Sequence, residues 1–197
     1  MVSCRGISLL ALGLGLLSCA EHKTNRLFTK LDSDKTGILF NNEIIETEKL
    51  NVMQYEYLYN GGGVGIGDFN GDGLPDIYFT GNMVENRLYL NKGNFHFTDI
   101  TEQSGVKGTN GWKTGVSVAD VNGDGQLDIY VCYSGPGDKE SLSNQLFINQ
   151  GTNDQGIPTF IDRAKEFGLD APGSFSTQAT FFDYDSDGDL DMFLLNH

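Results

Sequence analysis

Three nine-residue stretches concentrate the residues of this chain that could do chemistry: DFNGDGLPD (68–76), DVNGDGQLD (120–128) and DYDSDGDLD (183–191). In the first, Asp68, Asn70 and Asp72 occupy positions 1, 3 and 5, so their side-chain oxygens can converge on one point. Gly73 at position 6 permits the bend, the Leu74 carbonyl at position 7 can add an oxygen, and Asp76 at position 9 closes the ring. The second stretch offers Asp120, Asn122, Asp124, the Gln126 carbonyl and Asp128. The third offers Asp183, Asp185, Asp187, the Asp189 carbonyl and Asp191. Five or more hard oxygen donors, completed by water, suit Ca²⁺, which takes about six to eight oxygens. Neither sulfur nor imidazole is among the donors, which counts against zinc and copper. The pattern predicts up to three Ca²⁺ sites.

Charge supports a cation. The chain has a net charge of −14, and these three windows hold 11 of its 27 acidic side chains. Carboxylates crowded in this way repel one another unless something positive lies among them. The same balance argues against nucleic acid or an anionic membrane surface as a partner. The third loop carries the most charge and is expected to bind Ca²⁺ tightest. Acidic β-turns are the alternative, with Asn-Gly and Asp-Gly chosen for positive φ. Turn chemistry alone, however, does not call for aspartate at position 9. The related LDSDKTGILF (31–40) has Phe40 at that position and is not expected to hold a metal.

The loops sit inside longer repeats, which must supply the elements that position them. Apolar or small-residue runs precede each loop: VGIGDF (64–69), GVSVADV (115–121) and QATFFDY (178–184). Others follow: DIYFTG (76–81), DIYVCYSG (128–135) and DMFLLNH (191–197). The first two units continue with NRLYLNKG (86–93) and NQLFINQG (144–151), then FTDITEQSGV (97–106) and FIDRAKEFGL (160–169). β-Branched and aromatic content makes these strands, four to a unit, although DRAKEFGL could form a short helical turn. The consecutive apolar residues of the second segments imply sheets covered on both faces. The fold class is therefore all-β, built from β-propeller blades of four antiparallel strands. Gly65, Gly67, Gly115 and Ala119 keep the first strand of a blade slim. FTKLDSDKTGI (28–38) looks like FTDITEQSGV and is read as a lead-in strand, the last of an earlier or circularly closed blade. Residues 41–60 then form a connector. The organisation expected is a signal peptide at 1–18, a tether at 19–27, lead-in strand and connector at 28–60, and the repeat region at 61–197 with its third repeat truncated. About two and a half blades are present against about four to eight in a propeller. A fragment of a larger propeller is therefore expected, rather than a ring completed by several chains.

The first 18 residues read as an export signal: Arg5, then the apolar run ISLLALGLGLL (7–17), too short to span a bilayer. LLSC (16–19) resembles the lipobox of bacterial lipoproteins, which implies lipidation at Cys19. Of the three cysteines, Cys4 would leave with the signal and Cys19 would carry lipid. Cys132 is left in an apolar strand as a buried structural thiol. The resulting expectation is an exported, membrane-anchored bacterial lipoprotein, at the outer membrane or cell surface.

An EF-hand would need a bidentate glutamate at position 12 and flanking helices. That position holds Phe79, Val131 and Leu194, all in apolar runs. Dockerin loops share the early spacing but are followed by helices. Loops of the form D-x-[DN]-x-D-G-x-x-D followed by an apolar strand resemble the FG-GAP/VCBS repeats of integrin-α-type propellers. YNGGGVGIGDFNGDGLPDIYFTGN, NRLYLNKGNFHFTDIT and STQATFFDYDSDGDLDMFLLNH are similar to the N-terminal part of CRTAC1-like, ASPIC/UnbV-associated bacterial lipoproteins. The resemblance implies a Ca²⁺-stabilised propeller on an exported protein. It supplies no reaction.

No catalytic constellation accompanies the loops. His22, His96 and His197 lie in the tether, a polar turn and the last position, and read as surface or structural. Gly61, Gly62 and Gly63 are not a phosphate loop, because no Lys-Ser/Thr and no helix follows. The expectation is a non-enzymatic surface binding, adhesion or scaffold module for a protein or glycan ligand. Trp112 is either an aromatic contact or a plug between blades. A carbohydrate-active propeller enzyme, a polysaccharide lyase or hydrolase, is the alternative.

Overall fold

The repeated apolar and small-residue runs become strands, and the strands group by repeat. The computed structural model describes residues 27–138 and 141–197, so the signal peptide, Cys19 and most of the tether lie outside the described residues. Two units divide the chain, Met1–Lys30 and Leu31–His197, and every sheet among the described residues lies in the second. The first sheet is a meander of β1 (Val64–Gly67), β2 (Asp76–Phe79), β3 (Arg87–Asn91) and β4 (Phe97–Asp99). The second repeats it with β5 (Trp112–Ala119), β6 (Asp128–Ser134), β7 (Gln145–Thr152) and β8 (Pro158–Asp162). The third is a hairpin of β9 (Ser176–Phe182) and β10 (Asp191–Asn196). All pairings are antiparallel. The expected all-β class and four-stranded blades are what the chain forms, as part of a propeller, with no closed barrel among the described residues.

The core lies between sheets. Tyr78, Leu88 and Leu90 of the first sheet meet Val116, Ile129, Val131, Tyr133 and Phe147 of the second, and Phe69 and Phe160 complete the layer. The opposite face of the second sheet, through Tyr130, Cys132, Leu146 and Ile148, meets Ala179, Phe181, Met192 and Leu194 of the hairpin. A strand packed on both faces has no polar side, which is why β6 is buried along its whole length and its sequence does not alternate. The slim first strands have the same cause. A methyl group at Gly65 would lie 2.9 Å from Val118 Cγ2, and one at Gly115 would lie 2.4 Å from the Thr177 carbonyl oxygen, so neighbouring blades meet backbone to side chain at the first and backbone to backbone at the second.

Buried hydroxyls tie each blade together at the same positions. Tyr78 Oη donates to the Val106 carbonyl (2.6 Å) and accepts from Asn86 Nδ2 (2.7 Å). In the second blade Tyr130 Oη donates to the Leu169 carbonyl (2.7 Å) and accepts from Asn144 Nδ2 (2.9 Å).

The segment before the repeats corrects one expectation. Residues 27–32 form no strand, and the likeness to FTDITEQSGV lies in the helical turn instead. That turn is α1 (Ser33–Thr36), matched by α2 (Thr101–Ser104) and α3 (Ala164–Phe167), each ended by a left-handed glycine, Gly37, Gly105 or Gly168. A strand needs a partner to satisfy its backbone, whereas a helical turn closes on itself. The chain then crosses the outer face of the first sheet. Phe40 stacks on Phe79 with centroids 4.9 Å apart, and the Leu39 N–H donates to Tyr89 Oη (3.2 Å). Residues 41–47 have no regular structure, and 48–60 are mostly turns and bends.

Candidate metal loops

The three aspartate loops fall at the tips of the β1–β2, β5–β6 and β9–β10 hairpins. Their first five positions are built alike. Asp68 accepts from the Gly71 N–H (2.8 Å) and Asp72 N–H (3.1 Å) through Oδ1, and from the Gly73 N–H (2.8 Å) through Oδ2. Asp120 accepts from Asp124 N–H (3.0 Å) and Gly125 N–H (2.8 Å). Asp183 accepts from Asp187 N–H (3.2 Å) and Gly188 N–H (3.2 Å). Position 5 in turn accepts from the N–H of position 7: Leu74 to Asp72 (2.9 Å), Gln126 to Asp124 (2.9 Å) and Asp189 to Asp187 (3.1 Å). Asn70 and Asn122 each donate Nδ2 to the position-5 carboxylate at 3.0 Å. The glycines at position 6 of the first two loops have φ of 84° and 86°, a backbone that side chains resist.

Convergence is explicit in the third loop, where Asp183, Asp185 and Asp187 each place a ligand oxygen within 4.8 Å of the others. Opposed oxygens around Ca²⁺ stand about 4.6–5.2 Å apart, twice the metal–oxygen distance, so the triad has the span of a Ca²⁺ shell. Mutual repulsion is visible there too. The Asp187 carboxylate raises the Asp189 pKa by hydrogen bond and charge, while the Asp189 N–H lowers that of Asp187.

Position 9 is different in kind. Asp76 and Asp128 are fully buried, and both their oxygens are engaged. Asp76 Oδ2 accepts from the Phe69 N–H (3.0 Å) and Oδ1 from the Asn91 N–H of β3 (2.8 Å). Asp128 accepts from the Val121 N–H (2.9 Å) and the Asn149 N–H of β7 (2.8 Å). Each carboxylate therefore pins its own loop to the third strand of its blade, with lone pairs left over for a cation. Burial pushes Asp76 up to about 6, opposed by these two N–H bonds, with repulsion from Asp72 and Asp68 adding to it. Burial also raises Asp128. Asp191 is exposed and, among the described residues, accepts from the Tyr184 N–H (2.9 Å). Sequence reasoning missed Asn91 and Asn149, although both stand in the matching segments LYLN and LFIN.

Of the other residues singled out, Cys132 is fully buried and its thiol is pushed up to about 12 by burial. Trp112 is buried with its ring edge-on to Tyr55, a packing role. His197 Nε2 lies 2.5 Å from Ser134 Oγ. At the strand ends away from the loops, a cavity of about 960 Å³ is lined by residues that include Asn82, Glu85, Lys107 and Lys113.

Residues 68–131 match the family of FG-GAP-like repeats, covering the first two loops and the strands between them. The chain is 33% identical over 141 residues to cartilage acidic protein 1 of Xenopus tropicalis. It is 30% identical to the proteins of that name from Homo sapiens, over 141 residues, and Mus musculus, over 138. The Xenopus alignment takes in 70% of this chain but 20% of the relative, so the chain spans about a fifth of the length of these curated relatives. It carries FG-GAP-like repeats and is homologous to a part of cartilage acidic protein 1.

Proposed function

We propose that this chain is the Ca²⁺-binding part of an exported propeller that presents a rigid binding surface, for a protein or glycan ligand, and does no catalysis. One observation carries the calcium reading: three hairpin tips share one hydrogen-bond plan that gathers only hard oxygens. The residues that would hold the ion are positions 1, 3, 5, 7 and 9 of each loop. When bound, Ca²⁺ supplies positive charge that neutralises the crowded carboxylates. The chain's own residues do the rest: backbone N–H groups aim Asp68, Asp120 and Asp183, and the third strand holds position 9.

Export is supported by the signal-like N-terminus and by relatives named for cartilage, and a lipid anchor at Cys19 fits the LLSC motif. The strand ends away from the loops, with the cavity bordered by Lys107 and Lys113, are the surface offered to a ligand. Isothermal titration with Ca²⁺ tests the first part, and absence of heat in all three loops would refute it. A protein and glycan array probed with and without EDTA tests the second. Turnover on a polysaccharide panel would overturn the non-enzymatic reading.

A further inference from the structure

We infer that the first two loops form one coupled pair, joined across the blade boundary by the Asn149 side chain. This rests on the calcium reading of the loops. Asn149 belongs to β7 of the second blade, and its backbone N–H holds Asp128, position 9 of the second loop, at 2.8 Å. Its carboxamide nitrogen reaches both loops. It donates to the Leu127 carbonyl, position 8 of the second loop, at 3.2 Å. It also donates to the Phe69 carbonyl, position 2 of the first loop, at 2.9 Å. The Phe69 N–H in turn holds Asp76, position 9 of the first loop, at 3.0 Å. A continuous path thus runs Asp76, Phe69, Asn149, Asp128, and all four residues are buried. The Asn149 Oδ1 is fixed by the Gly151 N–H (2.9 Å), so the carboxamide cannot swing away from one loop without losing the other.

The first blade has the same grip within itself. Asn91 stands where Asn149 stands: its N–H holds Asp76 at 2.8 Å and its Nδ2 donates to the Pro75 carbonyl at 2.8 Å. Those partners are the equivalents of Asp128 and Leu127, so among the described residues Asn91 makes the contacts within its blade. A cation that orders one loop of the pair fixes one carbonyl partner of Asn149 and lowers the ordering cost at the other. Each site must then favour the other by the same factor.

The test uses the chain with its third loop silenced by Asp185→Ala. Ca²⁺ affinity is measured calorimetrically for the intact pair, for the second loop alone (Asp72→Ala) and for the first alone (Asp124→Ala). The product of the pair's two stepwise constants should exceed that of the single sites by about five-fold or more. Asn91→Ala should keep that excess, and Asn149→Ala should abolish it. Where the alanine variant fails to fold, Asn149→Asp keeps the acceptor for Gly151 and removes both donors. Independent sites in the parent, or coupling that survives loss of the Asn149 donors, would overturn the inference. Binding by neither loop would instead overturn the calcium reading.

Discussion

Replacing Asp128 by alanine separates the two roles of position 9. The substitution strips the acceptor from two backbone N–H groups, those of Val121 and Asn149, at 2.9 and 2.8 Å. Hydrogen bonds to a charged acceptor contribute about 1.5–3 kcal/mol each, and relief from keeping a buried carboxylate ionised offsets part of the loss. A net destabilisation of about 3 kcal/mol follows, or about 6–12 °C in Tm for a chain of this size. Asp124→Ala removes an exposed carboxylate that accepts in the described structure from loop-local groups only, and should cost under about 1 kcal/mol without metal. Urea unfolding in excess EDTA, followed by the fluorescence of Trp112, the single tryptophan, measures both. Ca²⁺ should then stabilise the parent and not the second loop of either variant. Equal costs for the two variants in EDTA would refute the argument that strand three, not the ion, holds position 9.

Three further outcomes are expected. Gly115→Ala should destabilise by about 1–3 kcal/mol, because the new methyl meets the Thr177 carbonyl at 2.4 Å, and thermal unfolding would show it. In a chain with Cys4 and Cys19 replaced by serine, a disulfide reagent at pH 8 should not modify Cys132 until the protein is unfolded. A pKa of about 12 leaves almost no thiolate there, and labelling rises only as pH approaches that value. The third loop, with aspartate at positions 3 and 7, should bind Ca²⁺ tightest at low salt in single-loop titrations. Its exposed charges should also make it lose most affinity as salt rises.

Much of the architecture was legible because it is written three times. The strand positions follow from repeated apolar runs, and the slim first strands from Gly65 and Gly115. Two features were hidden for different reasons. The lead-in at 28–32 has strand-like residues, but strand formation depends on a partner that local sequence does not encode. Asp76 and Asp128 read as plain ligands, because spacing within a loop says nothing about what lies 15 or 21 residues on. Their second partners are backbone N–H groups, which leave no mark in sequence beyond the recurring asparagine. The cross-blade reach of Asn149 was invisible for the same reason, since Phe69 offers its carbonyl regardless of side chain.

The grip of strand three on position 9 also has a consequence for rates. Each blade is a meander whose pinning contacts close over short sequence separations, 15 residues from Asp76 to Asn91 and 21 from Asp128 to Asn149. Such local closure favours rapid folding. Position 9 is thereby held before a cation arrives, so the ion's contacts belong to the finished blade rather than to the barrier leading to it. Interactions formed after the barrier slow unfolding and leave folding speed alone. Ca²⁺ would then set a lifetime, not a folding time.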